Sequence, residues 1–258
     1  MLLLLVSFAL SKSAADRPWM NQDDDPAQRA RTLLQHMNIT EKLWMLGGNG
    51  TMKPYVGAVT GNKRLGIPDL TLNDGPQGFR GIRGSTTAWP SGLTIGASFD
   101  VAVAEAWGKG MGEEFAGKGS NVQLGPGVCL ARIPNDGRNF EYISGEDPFL
   151  GMTMVAPAVR GIQSQGVIAN AKHFVNNNQE TNRSSQTAHV DERTNFEIYY
   201  PPFEGAVNAG VGSVMCRYFF TSSAHRHYRE RNNRPLTRNC TYMYARRYTY
   251  IFTGKTPV

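Results

Sequence analysis

Five segments of the chain combine charged or amide side chains with turns or with the ends of apolar runs. They are LTLNDGPQGFRG (70–81), GRNFEYISGEDPFLG (137–151), AKHF (171–174), NNNQETNR (176–183) and SVMCRY (213–218). Asp74 stands before a Gly-Pro turn, and Lys172 and His173 are adjacent at the end of an apolar run. Arg138 and Glu141 share a polar, acid-rich loop. Carboxylates accept hydrogen bonds from vicinal hydroxyls and Arg and Lys donate to other ring oxygens, so these side-chain types predict a site for a polyhydroxylated ligand.

Each of these residues also has a purely structural interpretation. Asp74 would cap the Gly-Pro turn that follows it, and Arg138 would pair with the acids of 141–147 on the surface. His173 would be a hydrogen-bonded core residue, and Lys172 would be an extended surface side chain. A lysine at the end of a barrel strand would also serve as a Schiff-base nucleophile. Taken singly, the residues therefore leave the function open.

Apolar runs that are typical of strands alternate with segments that are typical of helices. The strands are predicted at 67–74, 121–128, 167–174 and 211–216, and the helices at 26–37, 100–119, 149–166 and 191–210, the last interrupted by Pro201 and Pro202. This alternation predicts a parallel α/β sheet. Polar residues end the strands, as in (β/α) barrels, which place their chemistry at the C-terminal ends of the strands. An open doubly wound sheet obeys the same rule and is the alternative.

Together these segments resemble glycoside hydrolase family 3, the family of β-glucosidases and related exo-acting enzymes. The segments that carry the resemblance are LTLNDGPQGFRG, NVQLGPGVCLARIPNDGRNFEYISGEDPFLG, AKHFVNNNQETNR, VDERTNFEIYYPPFEGAV and AGVGSVMC, within residues 20–216. The resemblance implies an incomplete (β/α)8 TIM-type barrel over residues 26–216 and a retaining mechanism. It also implies a sugar-binding set in the subsite where cleavage occurs: Asp74, Arg138, Lys172, His173, Met215 and Tyr218.

The resemblance stops inside the last of the five segments. The family's nucleophile is an Asp in a Ser-Asp-Trp-like motif on the strand after the Met-x-x-Tyr segment, and residues 217–258 contain no Asp. No catalytic residue is therefore assigned, and the chain is expected to be a truncated family member with an aberrant tail, 217–258, that packs poorly for lack of aliphatic residues. The expected function is hydrolysis of terminal β-linked glucose from oligosaccharides or glycosides by the parent enzyme, with this chain inactive. A non-catalytic carbohydrate-binding remnant is the alternative.

The basic character of the chain is concentrated in that tail. Residues 217–258 hold 9 Lys and Arg against the single acid Glu230, whereas residues 1–216 hold 18 Lys and Arg against 20 acids. A nucleic-acid interpretation would therefore rest on the tail alone, and the tail contains no recognisable nucleic-acid-binding module. The expected partner is a β-glucoside or oligosaccharide substrate, and no nucleic acid is expected.

The N-terminus predicts export. The apolar run Leu2–Leu10 is too short to span a bilayer and is followed by small residues through Ala15, as in a signal peptide (1–15). The chain is thus expected to be secreted rather than membrane-bound, although the run lacks a preceding Lys or Arg and an apolar remnant of a wrongly assembled gene is the alternative. Four N-x-[ST] sequons fit a glycoprotein, at Asn38, Asn49, Asn182 and Asn239. Three widely spaced cysteines define neither a disulfide framework nor a metal site, so no metal and no cofactor is expected.

Overall fold

The computed structural model of the chain describes residues 17–21, 23–47, 55–80, 84–183 and 188–216, together with two strands at 243–245 and 248–250. The predicted signal peptide, Tyr218 and most of the predicted tail lie outside the described residues, so their predicted properties stay predictions. The described residues form two compact units. The first comprises the residues up to Leu46 with Thr60–Asp69, and the second comprises Gly47–Val59 with the residues from Leu70 on. None of the described helices is long and apolar enough to cross a membrane.

The first unit contains helices α1 (Pro26–His36) and α2 (Ile39–Leu46). Asp25 caps α1 by accepting hydrogen bonds from two backbone N–H groups at 3.0 and 3.1 Å, which satisfies donors that a helix N-terminus leaves free. Asn38 and Glu41 cap α2 reciprocally, each side chain accepting from the other's backbone N–H at 2.9 Å. The helix predicted at 26–37 is confirmed, and the unit's small apolar core consists of Trp19, Met37 and Leu65.

A five-stranded sheet forms the centre of the second unit. Its strands are β1 (Gly57–Val59), β2 (Leu70–Asp74), β3 (Val122–Leu124), β4 (Ile168–Phe174) and β5 (Ser213–Cys216). Strand β1 pairs with β2 in the antiparallel sense, and β2 to β5 are parallel throughout. The order in the sheet, β1-β2-β3-β4-β5, is also the order in the sequence.

Helices fill the connections between the parallel strands. They are α3 (Gly92–Gly96), α4 (Val101–Gly117), α5 (Pro148–Gln163), α6 (Glu192–Thr194), which continues into a π-helical turn (Asn195–Tyr199), and α7 (Pro201–Asn208). Parallel crossovers are right-handed as a rule, so strands in sequence order carry all their helices on one face. A doubly wound sheet would reverse its strand order at a switch point, and this sheet does not. The incomplete (β/α) barrel is therefore confirmed.

Local signals place the helix boundaries. Asp100 caps α4 by accepting from the backbone N–H of Ala102 at 2.8 Å, and Asp147 caps α5 by accepting from that of Phe149 at 2.8 Å. Pro201 begins a new helix because proline has no N–H to donate and clashes with the carbonyl of the preceding turn. The predicted interruption of the 191–210 helix is thus confirmed.

The sheet separates two apolar clusters. The larger lies between the sheet and its helices and includes Trp107, Met111 and Phe115 from α4, Val155, Val159 and Ile162 from α5, Ala169 and Ala171 from β4, and Phe203 from α7. The smaller consists of Leu72, Val122, Leu124 and Met215 from β2, β3 and β5. Alternate residues of a strand point to opposite faces, so β5 contributes Val214 to the larger cluster and Met215 to the smaller one.

Two further strands lie within the predicted tail. They are β6 (Met243–Ala245) and β7 (Tyr248–Tyr250), which pair with each other in the antiparallel sense. The predicted barrel domain, 26–216, includes helices α1 and α2. These two helices belong to the first unit, whereas the five-stranded sheet belongs to the second. The predicted domain boundaries stay a prediction.

Candidate functional site

A cavity of about 360 Å³ opens in the second unit where β2, β4 and β5 end. Five of the six predicted sugar-binding residues line it: Asp74, Arg138, Lys172, His173 and Met215. The sixth, Tyr218, lies outside the described residues. The predicted convergence of the four ionisable residues at the C-terminal edge of the sheet is confirmed, as expected where parallel strands end together. Their role in binding sugar stays a prediction.

Asp74, the last residue of β2, holds two cations. Its Oδ1 accepts a hydrogen bond from Lys172 Nζ at 3.1 Å, and its Oδ2 lies 3.0 Å from Arg80 Nη1. The carboxylate oxygens are therefore directed at cations and not at the Gly-Pro turn. Burial opposes ionisation, but Lys172 and Arg80 outweigh it and hold the pKa of Asp74 below its ordinary value of 3.8. Asp74 is consequently an ionised acceptor at neutral pH.

Replacing Asp74 by Asn is expected to lower the free energy of unfolding most near neutral pH and progressively less in acid. Because the folded-state pKa of Asp74 is depressed, its stabilisation is complete above the ordinary value of 3.8 and is lost as the pH falls through the lower folded-state pKa. Urea unfolding of both proteins, from about pH 7 down to about pH 2, measures the difference. A difference that stays constant across this range would contradict the ion pair.

Lys172 and His173 both reach the cavity because β4 is irregular at this point. Lys172 pairs with Met215 and Phe174 with Cys216, so two steps along β4 correspond to one along β5. Successive residues of a regular strand point to opposite faces, and a bulge re-aims one of them. Lys172 is only 3% exposed in its side chain, which excludes the extended surface lysine.

Arg138 joins two acids on the other side of the cavity. Its Nε donates to Glu141, and its Nη1 donates to Glu180 Oε1 at 3.2 Å. Glu180 also pairs with Arg183 at 3.1 Å. Arg138 and Glu141 have side-chain exposures of 16% and 8%, so they are not a surface ion-pair cluster. A partly buried arginine that donates to two acids is held in one orientation, which is what recognition of a ligand requires.

His173 is buried and electrically neutral. Burial lowers the pKa of its imidazole well below the usual range, and Lys172, Arg138 and Arg183 lower it further. Its Nδ1 lies 3.1 Å from the hydroxyl of Tyr142. The interpretation as a hydrogen-bonded buried histidine is thus correct in its geometry, but His173 is also one of the residues that line the cavity.

Among the charged and aromatic residues that line the cavity, four were not singled out from the sequence: Arg80, Phe140, Glu180 and Arg183. Glu180 and Arg183 stand in the amide-rich segment, and their spacing of three residues was an available signal. Arg80 follows Asp74 across the turn within the same segment. Phe140 lies between the two members of the Arg138–Glu141 pair and is 51% exposed, an unusual position for a large aromatic side chain.

The residues that line the cavity include both hydrogen-bond donors and hydrogen-bond acceptors. It contains four cationic side chains, three carboxylates and one neutral imidazole: Arg80, Arg138, Lys172, Arg183, Asp74, Glu141, Glu180 and His173. Vicinal hydroxyls both donate and accept, so such a mixture suits a polyhydroxylated ring. No cluster of His, Cys, Asp and Glu suited to a metal ion occurs within the described part of the chain.

The second unit is an incomplete (β/α) barrel with a charged, polar cavity at the C-terminal ends of its strands. The sequence profile described as the glycosyl hydrolase family 3 N-terminal domain matches residues 44–244, and the matched range continues past Cys216. The chain belongs to glycosyl hydrolase family 3.

Known proteins of this family are similar to the chain over most of its length. A probable β-glucosidase F of Neosartorya fischeri is 41% identical over 208 residues, which cover 78% of this chain and 24% of that relative. The solved structure of DesR, a β-glucosidase from Streptomyces venezuelae in complex with D-glucose, has a TM-score of 0.71 at 38% identity. The match covers 75% of this chain and 25% of the DesR chain. β-Glucosidase 3B from Thermotoga neapolitana in complex with α-D-glucose has a TM-score of 0.71 at 36% identity, covering 76% and 30%. The chain thus spans about a quarter of the length of the curated relatives it matches.

Proposed function

We propose that the cavity binds the terminal glucose unit of a β-linked glucoside or oligosaccharide, as the substrate-binding part of a retaining β-glucosidase. The observation that carries the proposal is the contact between Lys172 Nζ and Asp74 Oδ1 at 3.1 Å, made by residues 98 positions apart in the sequence. It brings an ionised acceptor and a buried donor to one wall of a cavity of suitable size. Two similar structures, those of DesR and of β-glucosidase 3B, are complexes with glucose, and this supports the choice of sugar.

The roles follow from the chemistry of each group. Asp74, held ionised, accepts hydrogen bonds from neighbouring hydroxyls, while Lys172 and Arg138 donate to the remaining ring oxygens. These contacts involve parts of the sugar that do not react. Binding energy from such contacts orients the anomeric carbon and offsets distortion of the ring in the transition state.

We further propose that the 258-residue chain by itself does not hydrolyse its ligand. A retaining mechanism needs a nucleophilic carboxylate and a protonated carboxylic acid about 5–5.5 Å apart. Each carboxylate that lines the cavity, namely Asp74, Glu141 and Glu180, is ion-paired to lysine or arginine. The depressed pKa of Asp74 also makes it unsuited to act as the acid. The non-catalytic sugar-binding function is therefore the form of activity we propose for this chain alone.

The expected result is binding without turnover. In an NMR titration, D-glucose should shift signals of the wild-type chain saturably, while its mirror image L-glucose should not. Aryl β-glucoside should be hydrolysed no faster than in buffer, because loss of the nucleophile removes the covalent step. The matched control is Asp74→Ala, prepared identically and expected to lose the glucose response. Turnover above background that Asp74→Ala abolishes would refute the inactive chain, and an absent glucose response in the wild type would refute the sugar site.

Two other functions find less support. A Schiff-base lyase needs a lysine amine that is free to attack a carbonyl carbon, and Lys172 Nζ is paired with the carboxylate of Asp74. A nucleic-acid function rests on the basic tail, most of which lies outside the described residues. We also propose that the protein is exported, on the basis of the apolar run Leu2–Leu10 and the small residues after it.

A further inference from the structure

Tyr142 lies directly behind His173 and contacts it through its hydroxyl group. The side chain is 1% exposed, and the two rings meet edge to face with centroids 6.2 Å apart. The hydroxyl oxygen lies 3.1 Å from His173 Nδ1 and 3.3 Å from the backbone carbonyl oxygen of Asn177. Cys129 contacts the backbone of His173. Its Sγ lies 3.4 Å from the backbone nitrogen of His173 and 3.5 Å from its backbone carbonyl oxygen. The imidazole ring is therefore held by neighbours that belong to the protein and not to a ligand.

Counting donors assigns the protons in this group. The carbonyl oxygen of Asn177 can only accept, and the hydroxyl of Tyr142 has one hydrogen to donate. If that hydrogen goes to Asn177, then His173 Nδ1 must carry a proton and donate it to the tyrosine oxygen. The opposite arrangement would place a hydroxyl lone pair against a carbonyl oxygen at 3.3 Å in a buried position, leaving that carbonyl without a donor from Tyr142.

A neutral imidazole carries one N–H, so a proton on Nδ1 leaves a bare lone pair on Nε2. Burial and the positive charges of Lys172, Arg138 and Arg183 disfavour a second proton on the ring. Among the described residues, none forms a hydrogen bond with Nε2, and His173 is one of the residues that line the cavity.

We propose that Tyr142 is a positioning residue that holds His173 in the Nδ1–H tautomer, so that Nε2 accepts a hydrogen bond from a hydroxyl of the bound sugar. The identity of the ligand rests on the proposed function, whereas the tautomer does not. The cavity's carboxylates are all ion-paired to its cations. His173 thereby supplies an uncharged acceptor whose direction is set by the ring, and a site built to hydrogen-bond a hydroxyl rejects the analogue that lacks it.

The tautomer is tested on the free protein. In long-range ¹⁵N–¹H NMR spectra, protonated and unprotonated imidazole nitrogens have well separated chemical shifts, and comparison with a His173→Gln sample assigns the ring among the five histidines. The wild-type ring should show a protonated Nδ1 and a bare Nε2. A wild-type ring protonated at Nε2 would overturn the proposal without the need for any variant.

The second arm compares Tyr142→Phe with Tyr55→Phe. Both changes remove a tyrosine hydroxyl that donates to a backbone carbonyl, but Tyr55 bonds to Lys118 and does not line the cavity. Tyr142→Phe should shift the His173 ring toward the Nε2–H tautomer and weaken D-glucose binding about tenfold, while Tyr55→Phe should change neither. Among the monodeoxyglucoses, the one that lacks the hydroxyl donating to Nε2 should bind the wild type weakly. The Tyr142→Phe variant should bind this compound no more weakly than the wild type does, because the hydrogen bond to Nε2 is already missing.

The outcomes separate the tautomer from the sugar site. Weaker binding with an unchanged tautomer would make Tyr142 a purely structural residue and overturn the proposal. A wild-type ring in the Nδ1–H tautomer with no response to D-glucose would support the assignment of Tyr142 and contradict the proposed function instead.

Discussion

Replacing Lys172 by Met is expected to weaken D-glucose binding by about 30-fold or more, since truncating one member of a buried charge pair costs about 2–5 kcal/mol. The substitution keeps most of the side-chain volume but removes the donor to Asp74 at 3.1 Å. Asp74 would then keep its ion pair with Arg80, whose side chain is 73% exposed and well hydrated. The carboxylate would lose its fixed position, and the sugar would lose both a donor and an oriented acceptor. The free energy of unfolding should fall by about 1–3 kcal/mol for the same reason.

The matched control is Lys118→Met. Lys118 also pairs with a carboxylate, that of Glu114 one turn earlier on α4, but it is more exposed and does not line the cavity. Because neither Lys118 nor Glu114 lines the cavity, this change should leave the glucose affinity unaltered. NMR titration of both variants and urea unfolding measure the two quantities. A Lys172→Met protein that binds glucose as well as Lys118→Met does would refute the sugar-binding role of the pair.

The largest effect on stability is expected for Gly108→Ala in α4, which should lower the free energy of unfolding by about 3 kcal/mol. A Cβ atom at this position would overlap the carbonyl oxygen of Ala158 and approach its carbonyl carbon to 3.1 Å. Gly161 faces back from α5, where a Cβ would lie 2.7 Å from the backbone nitrogen of Lys109. The two helices therefore touch through their backbones, and an added methyl group would force them apart over a fully packed core.

Gly117→Ala, in the last turn of the same helix, is the matched control. A Cβ there meets nothing within 4 Å, and the residue is exposed. Alanine is favoured over glycine in a helix by roughly 0.5–1 kcal/mol, so this variant should be slightly more stable than the wild type. Equal stability of the two variants in urea unfolding would show that the α4–α5 contact tolerates a wider separation.

Much of the fold could be predicted because its determinants are local. Asp100 and Asp147 cap α4 and α5 by accepting from backbone N–H groups two residues further along the chain. The start of α7 at Pro201 likewise depends on one residue's own covalent structure. The singly wound order of the sheet was left open against a doubly wound sheet, because both have the same alternation of strands and helices. Only the pairing of the strands decided between them.

The candidate site also has some features that the sequence determined and others that only the folded structure determined. The sequence alone determined which residue types end β2 and β4, and with the family resemblance it identified Asp74, Arg138, Lys172, His173 and Met215 as neighbours. Without the resemblance, the strand pattern did not determine that Lys172 and His173 share one cavity, since a regular strand would have turned them to opposite faces. That arrangement depends on the register shift between β4 and β5, which is a property of two strands and not of one.

The tertiary structure alone also decided which groups complete the cavity. Glu180 lies 42 residues from Arg138 in the sequence, and the hydroxyl of Tyr142 meets an imidazole 31 residues away. Such pairs leave no periodicity in the chain, because neither member constrains the backbone next to it. Helix caps and strand-forming runs depend on hydrogen bonds and burial within a few residues of the chain. They can therefore be predicted from the sequence. The direction of a buried side chain is settled by the partners that folding brings to it, and only the folded chain contains that information.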